Sequence, residues 1–262
     1  MLAALTGGGC VLAAARAAQP VRTVTTPAVP APVSAAASYA ATSSTPTVTN
    51  TAGDAVPEPH PRTPPSGLSL GSTGPTVLAL QQRLVGLGYW LGTPDGVFSD
   101  STEQAVFAYQ KAAGVGSDGV VGPLTQAALA QGVVPQPRST SGSVVEVNLE
   151  RDLLMIVQDG RIQEILNTST GGGYSYSADG ITALAQTPTG QFSIYRQVDG
   201  MVVDSLGQLW RPKFFTGGFA IHGDTYVPAQ PVSHGCVRVS NEAIDWIWAN
   251  NVMPVGTSIL VY

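Results

Sequence analysis

The sequence predicts a multidomain chain in which a segment that cannot fold precedes a small helical domain and then a mostly β domain. Three observations lead there. The first 66 residues are Ala, Pro, Thr, Ser and Val with almost no aromatics. Helical periodicity and a short internal repeat set in after Gly67, and from Val145 the apolar residues alternate or run in short blocks between turn formers.

Residues 1–66 cannot bury enough apolar surface to offset the entropy of ordering them. Residues 1–18 are short, apolar and followed by small residues around Ala15-Arg16-Ala17, as expected of an export signal and its cleavage site, although they lack a basic start. Cys10, preceded by Gly9, also admits lipid attachment, which Gly7 fits poorly. Residues 19–66 read as an extended Pro/Ala/Thr stalk, and His60 within it as a solvated linker residue. Net charge is −5 with no Lys/Arg cluster, so no nucleic-acid partner is expected.

The helical domain is expected over 67–131. Val77, Leu80, Leu84 and Leu87 share one helical face, with Pro75 suited to the first turn and Gly88 to the exit. A second helix follows Asp100, whose Asp-Ser-Thr-Glu run resembles a capping box; it buries Val106, Tyr109 and Ala113 and stops at Gly114. The Asp95-Gly96-Val97 stretch is echoed by Asp118-Gly119-Val120, each an Asp-Gly turn ahead of a helix start. These aspartates lack the alternating oxygen ligands of a calcium loop.

After a linker at 132–142, the second domain occupies 143–262. Strands are expected around Val145–Leu149, at Leu153–Val157 and, after an Asp159-Gly160 hairpin turn, at Arg161–Leu166. Further strands are expected at Gln191–Arg196, Met201–Asp204, Gly218–His222, Cys236–Val239 and Ser258–Tyr262. One helix, Asn241–Asn250, is capped by Ser240 and packs Ile244, Ile247 and Trp248. That supports a β-sandwich-like domain with one or two helices.

The chemistry concentrates in Phe214–Asn241, which holds His222, His234 and Cys236. With residues 1–18 removed, Cys236 is the single thiol, so it cannot be an intramolecular staple. A thiol is mostly protonated near neutral pH and needs an imidazole to act as a nucleophile. His222 closes one expected strand and Cys236 opens another, so a loop can bring them together. Spacing alone does not separate His222 from His234 as the base. Gly235 suits an acyl-transfer site because a side chain there would obstruct approach to an oxyanion hole, for which the amides of Gly235 and Cys236 are the candidates. Competing readings are an inert buried cysteine, a zinc set of His222, Asp224, His234 and Cys236 that matches no known zinc spacing, and a papain-like hydrolase, in which Cys precedes His.

Two resemblances sharpen this reading. Leu70 to Leu129 resembles the three-helix peptidoglycan-binding domain found beside cell-wall hydrolases, with its V-x-x-L-Q-x-x-L-x-x-x-G-Y and D-G-x-F-x-x-x-T runs. Ile221-His222-Gly223 followed by Ser233-His234-Gly235-Cys236-Val237-Arg238 resembles the L,D-transpeptidase (YkuD-like) catalytic domain, supported by Asn167–Gly171, Thr187–Ile194 and Phe215–Ala220. The second resemblance implies acyl transfer on peptidoglycan stem peptides: a cysteine thioester forms at the third stem residue, D-Ala leaves, and an amine on another stem accepts, giving 3-3 type cross-links. Carried onto this chain, it makes Cys236 the nucleophile, His222 the base, the Gly223 carbonyl its orienter, and the amides around Gly235 and Cys236 the oxyanion hole. His234 stays a further catalytic candidate, and Ser233, Arg238, Phe219 and Tyr226 become the candidate substrate contacts.

The same resemblance implies covalent inhibition by carbapenem-type β-lactams, an extracytoplasmic cell-envelope location, and neither metal nor organic cofactor, thiol and imidazole sufficing. A monomer is expected. Arg238 stands where one cross-linking branch has Asn, and the loop between the motifs is shorter, so the acceptor is less defined than the donor. Water as acceptor would give an L,D-carboxypeptidase. A non-catalytic wall-binding protein and a sortase-like transpeptidase are the remaining alternatives.

Overall fold

The computed structural model describes residues 67–178 and 180–262; the expected signal, Cys10, stalk and His60 lie outside them. Along the chain come helices α1 (Pro75–Gly86), α2 (Asp100–Ala113) and α3 (Pro123–Gln131). They are followed by strands β1 (Ser143–Asn148), β2 (Leu153–Gln158), β3 (Arg161–Asn167), β4 (Ser175–Ala178), β5 (Ile181–Leu184) and β6 (Gly190–Ser193). Next are β7 (Arg196–Gln197), β8 (Met201–Asp204), β9 (Gly207–Thr216), β10 (Phe219–Asp224), β11 (Val237–Ser240), α4 (Asn241–Ala249) and β12 (Ser258–Val261). Among the described residues, no helix is long and apolar enough to cross a membrane.

The internal repeat of the helical part has a concrete cause. In its first copy the buried Gln81 amide donates to Asp95 Oδ1, the Val97 carbonyl and Thr102 Oγ1, while its oxygen accepts from the amides of Asp95 and Gly96. In the second, the buried Gln110 does the same with Asp118, Val120, Thr125 and the Gly119 amide. Each glutamine thus satisfies the backbone of one Asp-Gly turn, whose glycine has positive φ (Gly96 78°, Gly119 74°). The capping box expected at Asp100 does not form. Asp100 is already helical, and the N-cap residue, Ser99, makes no side-chain capping bond.

The β part contains two five-stranded sheets, ordered β3-β2-β1-β12-β6 and β11-β10-β9-β7 with β8 also on β9, and a separate β4-β5 ribbon. The Asp159-Gly160 hairpin turn has φ of 48° and 73°, the doubly positive geometry of a type I′ turn. Ser240 caps α4 by accepting from the Ala243 amide at 3.2 Å. The strand expected over Gln191–Arg196 breaks into β6 and β7, and the ten residues of β9 and the β4-β5 ribbon were not anticipated.

The unbroken apolar run Leu153–Val157 is buried on both faces of its sheet. Leu154 and Ile156 join one core with Val145, Ile221, Val237, Ile244 and Ile259, which span both sheets and α4. Leu153, Met155 and Val157, with Ile165, join the other core, made with Val77, Leu84, Tyr89 and Tyr109 of the helical part. The segment expected to be a plain linker is accordingly packed. The amides of Arg138 and Ser139 donate to the Glu146 carboxylate, the Arg138 guanidinium lies over the Tyr262 ring, and Tyr89 donates to the Val133 carbonyl.

Candidate active site

His222 lies on β10 and is 3 % exposed. β10 and β11 run parallel with Ile221 opposite Val237 and His222 opposite Arg238, which sets Cys236 at the head of β11 beside the strand that carries the histidine. His222, His234, Cys236, Ser233, Phe219 and Arg238 line one cavity of about 220 Å³.

The turn before Cys236 is held from three sides. Ser233 Oγ donates to the Cys236 carbonyl at 2.6 Å and accepts from the Gly235 amide at 3.0 Å. The Ser233 amide donates to the Thr170 carbonyl at 2.9 Å, and Thr187 Oγ1 donates to the Gly235 carbonyl at 2.8 Å. Gly235 has φ of 137°, and a Cβ there would stand 2.4 Å from Phe219 Cε1 and 2.8 Å from the Gln186 carbonyl oxygen. Only glycine fits. A Cβ on Gly223 would meet Asn241 Oδ1 and Ile244 Cγ2, each at 2.6 Å. The polar run Asn167-Thr168-Ser169-Thr170 is buried because it frames this turn: Ser169 and Arg238 exchange backbone bonds, and Thr168 Oγ1 donates to the Arg238 carbonyl.

His222 Nδ1 is 2.9 Å from the Gly223 carbonyl oxygen. A carbonyl only accepts, so Nδ1 carries the proton and Nε2 keeps a free lone pair. Burial holds the imidazole pKa below its ordinary value, with the Gly223 bond acting the other way. Burial also pushes the Cys236 thiol up to about 11, against the opposing Ala220 backbone bond, and the Asp204 charge adds to the rise. Both groups are therefore neutral at rest.

The two histidines are separated by their surroundings. His234 packs edge-on against Tyr174 and Tyr176, with ring centroids 5.7 and 4.6 Å away. Tyr226 departs from the expectation: it is 65 % exposed and lines a different groove, of about 530 Å³, between α2 and the loop after β10. Ser233 is 1 % exposed with its hydroxyl engaged within the turn, so its role is to hold that turn rather than to present a hydroxyl to a ligand. The Gly235 amide is bonded to Ser233, which leaves it less available than expected for an oxyanion. Arg238 Nε pairs with Asp224 Oδ2 at 3.2 Å.

Sequence reasoning missed Tyr176, Asp204, Leu206, Gln208 and Leu209, which with Gly218 complete the cavity wall. They come from the β4-β5 ribbon and the β8-β9 hairpin, whose sequences carry no chemical motif. Among the described residues, no group of three or more His, Cys, Asp or Glu side chains is placed to hold a metal ion.

A thiol and a desolvated, oriented imidazole thus share one cavity on paired β-strands, the residue types that nucleophilic acyl transfer uses. Residues 73–129 match the peptidoglycan binding domain family, and residues 142–261 match the L,D-transpeptidase catalytic domain family. The crystal structure of the L,D-transpeptidase (residues 123–326) from Xylanimonas cellulosilytica is 53% identical, over 76% of this chain and 99% of that one, with a TM-score of 0.73. The N-acetylmuramoyl-L-alanine amidase CwlL of Bacillus licheniformis is 46% identical over 65 residues, 24% of this chain and 18% of the amidase. A similar stretch of 52 residues, 42% identical, covers 20% of this chain and 13% of the amidase CwlM of Mycobacterium tuberculosis. The chain thus spans under a fifth of the curated relatives it matches. It belongs to the L,D-transpeptidase family, with a peptidoglycan binding domain ahead of the catalytic domain.

Proposed function

We propose that this protein is a peptidoglycan L,D-transpeptidase that forms 3-3 type cross-links through a thioester on Cys236. The observation that carries the reading is the shared cavity of Cys236 and His222, with Nδ1 of the histidine tied to the Gly223 carbonyl. Cys236 Sγ attacks the carbonyl carbon of the third stem residue while its proton passes to His222 Nε2. The tetrahedral oxyanion is met by the Cys236 amide, and by the Gly235 amide if its bond to Ser233 yields. The C–N bond breaks, His222 returns the proton to the departing D-Ala amine, and the thioester remains. An amine of a second stem then attacks, loses its proton to His222 and displaces the thiol, which is reprotonated.

Arg238, anchored through Nε to Asp224, keeps its terminal nitrogens for a donor carboxylate, and Phe219 supplies an apolar wall. The same thiol chemistry makes carbapenem-type β-lactams covalent inhibitors. The substrate lies outside the cytoplasmic membrane, so the enzyme works in the cell envelope, as a monomer. Glycan and stem peptide are its partners, the helical domain binding the wall.

Intact-mass spectrometry after incubation with a disaccharide-tetrapeptide, with and without a second stem, tests this. A thioester adduct, D-Ala release and a dimer are expected. Release of D-Ala with tripeptide alone would replace the transpeptidase with an L,D-carboxypeptidase, and neither adduct nor release would leave a wall-binding protein.

A further inference from the structure

The helical part touches the catalytic half through polar groups as well as apolar ones. Gln104 and Lys111 stand seven residues apart on α2, two turns along one face. Lys111 Nζ donates to the Thr168 carbonyl at 2.8 Å and the Asp152 carbonyl at 3.0 Å, and pairs with Asp152 Oδ2 at 3.4 Å. Both side chains of that pair are only 6% exposed. Asp152, at φ 52°, uses its other carboxylate oxygen to accept from the Thr170 amide at 3.0 Å and Thr170 Oγ1 at 2.7 Å. The Thr170 carbonyl then receives the Ser233 amide, and Ser233 Oγ holds both Gly235 and Cys236.

Gln104 grips the other side of the same region. Its amide donates to the Val227 carbonyl at 3.0 Å, in the loop between the His222 and Cys236 motifs, and its oxygen accepts from Asn167 Nδ2 at 2.6 Å. An unbroken line of hydrogen bonds therefore runs from a helix of the peptidoglycan binding domain to the backbone of the nucleophile.

We propose that Lys111 is a positioning residue for acyl transfer: through Asp152 and Thr170 it fixes the Ser233–Cys236 turn, so the helical domain is a working part of the catalytic site as well as a wall-binding module. This rests on the acyl-transfer reading above. A buried carboxylate without its cation loses its preferred geometry, and the amides that meet an oxyanion are sensitive to small displacements. Simple alkylation of the thiol has no oxyanion and does not depend on those amides.

The test uses the full chain and the variants Lys111→Met and Thr170→Val. Two rates at Cys236 are measured by mass spectrometry: alkylation by iodoacetamide, and acylation by a soluble disaccharide-tetrapeptide too small to need wall anchoring. Each variant is expected to alkylate within twofold of the parent while its maximal acylation rate falls at least tenfold and its half-saturating donor concentration changes less than threefold. The double variant should lose little more than either single one, because both loosen the hold of Asp152 on Thr170, Thr170→Val by removing the Oγ1 bond while the backbone bonds remain. Thr170→Val keeps shape and charge, so it decides the matter should Lys111→Met fail to fold. Folded variants that acylate at the parent rate would overturn the positioning role, as would equal losses in alkylation and acylation. A parent protein that alkylates but takes no acyl group would instead overturn the transferase reading, and the positioning role with it.

Discussion

Removing the helical domain is expected to unfold the catalytic half. The fragment 143–262 would expose Leu153, Met155, Val157 and Ile165, all now within the core shared with Val77, Leu84, Tyr89 and Tyr109. Burying a side chain of that size contributes about 1.5–3 kcal/mol, so the four together come to roughly 6–12 kcal/mol. Whole domains are stable by roughly 5–15 kcal/mol. The loss is an upper bound, because a freed face partly collapses on itself, yet it is comparable with everything holding the fragment together. The fragment would also leave Asp152 without its Lys111 partner. Urea unfolding followed by tryptophan fluorescence and circular dichroism provides the assay. Residues 67–262 should give a single cooperative transition, and 143–262 should aggregate or lack one. A soluble fragment that melts cooperatively at the midpoint of the longer protein would refute the shared-core argument.

Other expectations follow from single groups. Because burial raises the Cys236 thiol to about 11, roughly one molecule in ten thousand carries free thiolate at pH 7, and alkylation should accelerate steadily from pH 7 to 10 with no plateau near neutrality. His222, whose pKa is lowered by burial, is neutral at lower pH than an ordinary histidine; acyl transfer, which needs the neutral base, should persist below about pH 6.5 and be lost only as pH falls through the depressed value. Gly235→Ala should cost roughly 2–6 kcal/mol of stability from backbone strain and overpacking against Phe219, read from urea midpoints. Ser240→Ala removes the α4 cap and should cost about 1 kcal/mol, a drop in Tm of a few degrees with little effect on acylation.

Much of the molecule could be read from local patterns, because the same residues fix local geometry and chemistry. Asp159-Gly160 announces its turn by requiring positive φ twice, and Ser240 announces its helix by satisfying an orphan amide. His222, Gly223, Gly235 and Cys236 stand out in the sequence because a thiol, an imidazole and glycines gather in one short stretch, although the bond that ties the Gly235 amide to Ser233 does not. The unbroken run Leu153–Val157 signalled a strand buried on both sides, but periodicity cannot name what covers each side. Long-range partnerships had no local signature at all: Lys111 and Asp152 are ordinary charged residues until the fold joins them. Tyr226 lines the groove beside α2, because nearness to a motif in sequence does not fix which cavity an aromatic lines.

The twin glutamine clasps bear on the order in which the chain folds. Gln81 closes onto partners 14 to 21 positions away, and Gln110 onto partners 8 to 15 away. The catalytic half depends instead on β1 finding β12 in parallel, Val144 against Ser258, a closure costlier by about 2 kcal/mol. Contacts of short span form early and distant strand pairings late, so the helical domain is expected to assemble first and offer β2 a finished apolar surface. Mutations in α1 or α2 should then slow folding, whereas those at the β1–β12 seam should chiefly hasten unfolding, a contrast that φ-value analysis can register.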